Sequence, residues 1–211
     1  GLGRPYKCLD RGWTLPILRH APCPIRGGDA PVFLLVARML RDKGVVEYVQ
    51  AAQLLRPHYP HARFVLLGFL GVENVSAIHQ AQMDEWVAEG SVEYWGATSD
   101  VRPMIARADC IVLPSYREGM PRTLLEAAAM GRPLVATDVP GCREVVQDGV
   151  NGYLCQVKDA GALAGAMERI ITLSPSQRRA LGDAGRHRVE ERFAEGYVID
   201  CYLRAISDMV R

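Results

Sequence analysis

The stretch Ile111–Glu126, IVLPSYREGMPRTLLE, decides the fold. Apolar and β-branched residues lead into a Pro-Ser turn at 114–115, an exposed Arg-Glu-Gly at 117–119, and Pro121 at the start of a leucine- and alanine-rich segment. The order is strand, short loop, helix. In an α/β sheet that order brings backbone N–H groups and a positive helix end to the carboxyl edge of the strands, where ligands bind. Proline suits the first helical position, so Pro121 is expected there. The amides of Arg122, Thr123 and Leu124 would then point toward an anion above Gly119 and Met120.

Two acids bracket this unit, Glu118 before the helix and Glu126 on its second turn, with seven residues between them. A carboxylate on each side of an anion-binding helix end fits a ligand with phosphate in its middle and hydroxyls at both ends, the layout of a nucleotide sugar. Spacing alone leaves a plainer alternative: Glu118 as a solvated loop acid, and Glu126 paired with Arg122 one turn back in a surface contact of under about 1 kcal/mol.

Outward from this stretch the pattern repeats. VFLLVA from residue 32 is a continuous apolar run, the mark of a strand covered on both faces. Arg38 stands at its carboxyl end and Lys43 at the entrance of VVEYVQAAQLL, whose apolar residues at 45, 48, 49, 52 and 55 give an amphipathic helix. Both cations therefore fall at the ligand edge of a parallel sheet, although two ordinary surface cations would look the same. Strands are expected at 63–68, ending in Gly68, and at 91–96, ending in Trp95-Gly96, with helices at 75–88 and at 101–108 after an Asp100 cap. Glycines past strand ends allow close backbone approach to a ligand, and turn geometry also accounts for them. Further strands are expected at 131–138 and 152–156, with a short helix at 141–146 between them. Helices follow at 159–171, from Ser174-Pro175 onward, and at 194–210. The sum is an α/β, Rossmann-like, doubly wound parallel sheet of about six strands with C-terminal helices.

The 211 residues carry a formal net charge of +1, so the overall balance asks for neither nucleic acid nor an anionic membrane. Six cysteines without a CxxC pair, with Cys110 and Cys155 in apolar runs, indicate a reducing compartment. No apolar run reaches the length of a membrane span. Residues 1–30 hold five basic residues against Asp10 and Asp29, with repeated prolines, which gives a linker or arm. A dinucleotide fingerprint is missing, as are an Asp-x-Asp pair and a His/Cys/acid cluster at metal-ligand spacing, so neither a redox cofactor nor a metal is expected.

REGMPRTLLEAAAMGRPLVATDVPGCREVVQDGVNGYL, together with VARMLRDKG and VEYWGATSDVRPMIARADCIVLPS, resembles the C-terminal, donor-binding half of the family 4 retaining glycosyltransferases of the GT-B fold. Among these it is most similar to bacterial enzymes of lipopolysaccharide, O-antigen and capsule synthesis. The resemblance spans residues 31–172, with 173–211 as closing helices and 1–30 as the linker from a missing N-terminal domain that would bind the acceptor.

The resemblance implies a metal-independent transferase acting on a nucleotide-sugar donor, with UDP the expected carrier, and on a saccharide or lipid-linked acceptor. Arg38 and Lys43 would hold the diphosphate and neutralise the departing charge, and Gly119, Met120, Pro121, Arg122 and Thr123 would cradle it. Glu118 would contact the donor sugar near the reacting carbon and Glu126 the ribose, while Gly68, Trp95 and Gly96 would border the base and donor pocket. A cytoplasmic location follows, with peripheral attachment at the inner face of the membrane left open. The isolated chain would bind nucleotide and transfer little. A GT-B nucleotide-sugar epimerase and a non-catalytic nucleotide-sugar binding module are the alternatives.

Overall fold

The computed structural model describes residues 31–193. Six strands alternate with helices: β1 (Val32–Val36), α1 (Val45–Leu55), β2 (Arg63–Leu67), α2 (Gln80–Ala88), β3 (Glu93–Tyr94), α3 (Arg102–Ile105), β4 (Cys110–Leu113), α4 (Arg122–Ala129), β5 (Leu134–Thr137), α5 (Pro140–Val145), β6 (Gly152–Cys155), α6 (Ala160–Thr172) and α7 (Pro175–Arg192). A short 3-10 turn, Arg41–Lys43, precedes α1. All strand pairs are parallel, in the order β3-β2-β1-β4-β5-β6.

Continuous apolar runs suit this sheet because helices cover both its faces. β1, β4 and β5 are buried along their whole length. One core joins the sheet to α1, α2 and α6, the other joins it to α3, α4, α5 and α7. On the first face Tyr48 of α1 donates its hydroxyl to the Phe33 carbonyl at 3.0 Å and accepts the Val65 N–H at 3.1 Å, tying the helix to β1 and β2 at once. α7 begins with a capping box between Ser174 and Gln177, as Ser174-Pro175 foretold.

This order places a crevice where the site should be. The chain winds outward from β1 in one direction and from β4 in the other, so α1 and α4 leave neighbouring strands toward opposite faces. The space between their N-terminal ends is the topological switch point of the sheet.

Several elements are shorter than their sequence-based bounds, among them the strand expected over 131–138, which is Leu134–Thr137. The helix expected over 75–88 begins only at Gln80, because the chain before it serves the loop after β1: the Arg41 N–H donates to the Ser76 carbonyl and the Ile78 N–H to the Met39 carbonyl. The strand expected over 91–96 narrows to Glu93–Tyr94, since Ser91 and Val92 turn their N–H groups back to Trp86. The helix expected over 101–108 is the single turn Arg102–Ile105; Asp100 caps it from outside, accepting the Arg102 N–H at 3.1 Å and gripping the Arg102 guanidinium at 2.7 and 2.9 Å. The basic arm of residues 1–30 and the helix expected over 194–210 lie outside the described residues.

Candidate functional site

The site is assembled from the loops that leave β1, β4 and β5. After β1 the exposed Arg38 is followed by buried Met39 and Leu40 and then by the turn that carries Lys43. Gly44 ends that turn in the left-handed region, φ +71°, and a Cβ there would run into the Pro114 carbonyl. Only glycine lets the Lys43 turn sit this close to the end of β4. The β4 loop answers with its own bonds, the Tyr116 N–H to the Asp42 carbonyl at 2.9 Å and the Ser115 hydroxyl shared between the carbonyls of Asp42 and Arg117. The Thr137 hydroxyl donates to the Ser115 carbonyl from β5.

These constraints bring Lys43 and Glu118, 75 residues apart, into contact: Nζ to Oε1 is 2.7 Å, with side chains 23% and 13% exposed. Residue spacing assigned them separate tasks and no contact. Glu118 is therefore a sheltered, ion-paired acid, and its alternative as a solvated loop acid falls away. Behind it stands α5. A Cβ on Gly141 would strike the carbonyls of both Glu118 and Gly119, so the backbone of the acid rests directly on the first turn of α5. The adjoining Cys142 is buried; desolvation pushes its thiol up to about 12 and the nearby Glu118 carboxylate acts in the same direction, which leaves it a neutral packing group.

Helix α4 opens one residue later than expected. Pro121 is its N-cap, with extended backbone, and its carbonyl accepts the N–H groups of Leu124 and Leu125 at 3.1 and 3.2 Å. Leu124 thus spends its amide inside the helix and drops out of the anion cradle. The hydroxyl of Thr123 reaches back to the Val36 carbonyl at 3.5 Å, holding the helix start over the end of β1. Gly119 and Met120 lie between Glu118 and this helix end, Gly119 exposed and Met120 half-buried.

One turn into α4, Glu126 is half-buried, and desolvation raises its carboxyl above the ordinary value while Arg122 and Arg102 oppose the shift. Asp100 raises it further, so the Asp100–Arg102 pair belongs to the surroundings of Glu126, a neighbourhood that residue spacing did not disclose. On the far side of β1, Gly68 has φ +151° and presses on the Ala37 carbonyl, and its N–H donates to the Gly96 carbonyl at 2.8 Å. The Trp95 indole is engaged from its neighbours: the Arg107 guanidinium lies 4.2 Å from the ring centroid and Nε1 donates to Glu93 at 3.2 Å.

The structure thus brings Lys43, Glu118, Gly119, Met120 and the α4 N-terminus together at the switch point, with Arg38 exposed on the loop that leaves β1. Gly68 and Gly96 join at the ends of β2 and β3, and Glu126 sits one helical turn deeper. Sequence reasoning missed Gly44, Gly141 and Arg102. Their only signals were a Gly before a helical period, a Pro-Gly pair that reads as a turn, and an acid-x-Arg spacing, each common in loops.

Residues 30–172 match the family described as glycosyl transferases group 1. The chain belongs to this family. It is 32% identical over 182 residues to the N,N'-diacetylbacillosaminyl-diphospho-undecaprenol alpha-1,3-N-acetylgalactosaminyltransferase of Campylobacter jejuni, covering 86% of this chain and 46% of that protein. It is 30% identical over 179 residues to the lipopolysaccharide core biosynthesis glycosyltransferase LpsE of Rhizobium meliloti, covering 85% and 50%. The chain therefore spans about half the length of the curated relatives it matches.

In structure it superposes on Anabaena HepE, solved in complex with UDP, with a TM-score of 0.78 at 20% identity over 93% of this chain and 56% of that one. It also matches the sucrose-phosphate synthase of Thermosynechococcus elongatus, with a TM-score of 0.71 at 28% identity over 86% and 46%. The fold of this group 1 glycosyl transferase chain is the Rossmann-like α/β unit found in GT-B enzymes. Among the described residues no helix is long and apolar enough to cross a membrane.

Proposed function

We propose that this chain is the donor-binding half of a retaining, metal-independent glycosyltransferase that moves a sugar from a UDP-sugar to a saccharide or lipid-linked saccharide in surface polysaccharide synthesis. The observation that carries this reading is the Lys43–Glu118 contact of 2.7 Å in the switch-point crevice, beside the N-terminus of α4. A cation suited to phosphate and an acid suited to sugar hydroxyls meet there.

In this reading Arg38 and Lys43 bind the diphosphate, helped by the backbone at Gly119, Met120 and Pro121 and by Arg122 and Thr123. As the bond from the sugar to the phosphate breaks, negative charge grows on the leaving diphosphate. Fixed cations and a helix end stabilise that charge without reorganising. Glu118 orients the sugar at the reacting carbon, Glu126 accepts from the ribose, and Gly68, Trp95 and Gly96 border the base. Acceptor binding is assigned to a further domain facing this crevice, because positioning an acceptor and excluding water both require a second wall. This chain alone then binds nucleotide and transfers little.

The test is thermal unfolding with saturating UDP, GDP, ADP and uridine. A ligand at about 100 times its Kd adds roughly 2.7 kcal/mol, worth about 5–10 °C for a chain this size. UDP is expected to give that shift and uridine far less. A folded chain that none of the nucleotides shifts would sink the donor-site reading.

A further inference from the structure

The ion pair at the centre of the crevice is accompanied by a second link between the same two loops. Tyr116, two residues before Glu118, donates its hydroxyl to Oε1 of Glu47 at 2.6 Å, and Glu47 lies four residues after Lys43 on the first turn of α1. We propose that Tyr116 and Glu47 are positioning residues that fix Lys43 and Glu118 against one another for the donor diphosphate. The proposal rests on the donor-site reading above.

Three features set this link apart from an ordinary surface contact. The other carboxylate oxygen of Glu47, Oε2, is buried without a hydrogen-bond partner. An orphaned buried acceptor carries a desolvation cost that no bond offsets, and departures of this kind concentrate where a site requires them. Lys158, in the loop after β6, places its ammonium 4.8 Å from the centroid of the Tyr116 ring, and it does so from a left-handed backbone, φ +59°, that a non-glycine residue adopts at a cost. The Tyr116 N–H is also bound, to the Asp42 carbonyl within the Lys43 turn. Loops from β1, β4 and β6 therefore converge on one tyrosine immediately before the acid.

The hydroxyl stays a donor throughout the working pH range. Burial, reinforced by the bond to Glu47, pushes its pKa up to about 12. The link thus does not open and close with pH; it sets a distance. Without it the Lys43 turn and the Glu118 loop would still touch through backbone bonds, but the side chains would be free to drift, and a 1 Å error at a phosphate is enough to lose a charge-assisted bond.

The experiment measures UDP and uridine affinity by calorimetry for the chain and for Tyr116→Phe, Glu47→Leu and Glu47→Gln, each with and without Lys43→Met. Tyr116→Phe and Glu47→Leu are expected to weaken UDP about three- to tenfold and to leave uridine within about twofold, as loss of one positioned hydrogen bond predicts. Glu47→Gln should stay near the parent, because its amide oxygen still accepts the tyrosine hydroxyl. In the Lys43→Met background Tyr116→Phe should cost nothing more.

Equal losses for UDP and uridine, or a Tyr116→Phe loss that persists in full without Lys43, would make the link merely structural and overturn the proposal. If Tyr116→Phe fails to fold, the Glu47→Leu and Glu47→Gln pair reads the same bond from its other side. A parent chain that does not bind UDP removes the donor-site reading and this proposal with it. A parent that binds UDP, with Tyr116→Phe unchanged, removes only this proposal.

Discussion

Glu118 and Glu126 flank the same loop and helix, yet the fold treats them in opposite ways. Glu118 is sheltered and satisfied: Lys43 stands 2.7 Å from it and its backbone rests on Gly141. Glu126 is half-buried and left with charge it has not neutralised, its carboxyl raised by desolvation while Arg122 and Arg102 only oppose the shift. The first acid is held ready by a partner that a phosphate could take away. The second bears a desolvation cost that a hydroxyl-bearing ligand could relieve. Two carboxylates at motif spacing are thus two devices, and each breaks under a different substitution.

The largest effect is expected at Gly141, which supports only the Glu118 end. A methyl group there meets the carbonyls of Glu118 and Gly119, atoms of a backbone that has no rotamer to escape into. Gly141→Ala should destabilise the chain by about 1–3 kcal/mol through overpacking and weaken UDP by at least about tenfold as the acid and the phosphate cradle shift. Gly119→Ala is the matched control. Nothing lies within 4 Å of a Cβ at that position, so its unfolding midpoint should stay within about 2 °C of the parent. Similar losses of stability for both glycines, read by thermal unfolding, would show that the contact with α5 does not hold the Glu118 loop.

The same contrast explains what was legible in the sequence. Strands β1, β2, β4, β5 and β6 announced themselves because a parallel sheet covered on both faces needs unbroken apolar runs, and α1 because its period matches one buried face. Arg38, Lys43, Glu118 and Glu126 stood out as charges placed at strand exits. The pairing of Lys43 with Glu118 was not legible, because a contact across 75 residues depends on how closely two loops approach, and that is set by two missing Cβ atoms, at Gly44 and Gly141. The start of α2 was misplaced for a related reason. Residues 76–78 have ordinary helical character, but their carbonyl and N–H groups are claimed by the loop after β1, a tertiary demand that no local pattern records.

A smaller and less intuitive effect is expected at Glu118 itself. If the diphosphate must take Lys43 from this carboxylate, then removing the negative charge releases the lysine in advance. Glu118→Gln should tighten UDP by about three- to tenfold, the value of a charge-assisted bond reduced to a neutral one, and the gain should vanish in a Lys43→Met background. Calorimetry of the four proteins closes that cycle. Weaker UDP binding in Glu118→Gln would mean that the acid helps to hold the diphosphate site rather than competing for its cation.

Glu126 gives the smallest and most pH-dependent change. Its folded pKa lies above the 4.5 of the free group because burial disfavours the carboxylate. Between those two values the unfolded chain binds fewer protons than the folded one, so stability falls as pH rises from about 4.5 through the folded pKa. Glu126→Gln keeps the shape and removes the charge. At pH 4 its unfolding midpoint should equal that of the parent, and at pH 7 exceed it by about 1–2 °C. Its UDP affinity should drop by about threefold, because an amide oxygen accepts from a ribose hydroxyl more weakly than a carboxylate does. Identical midpoints at both pH values would mean that Arg122 and Arg102 already neutralise the acid. The difference between Glu118 and Glu126 would then lie in geometry alone.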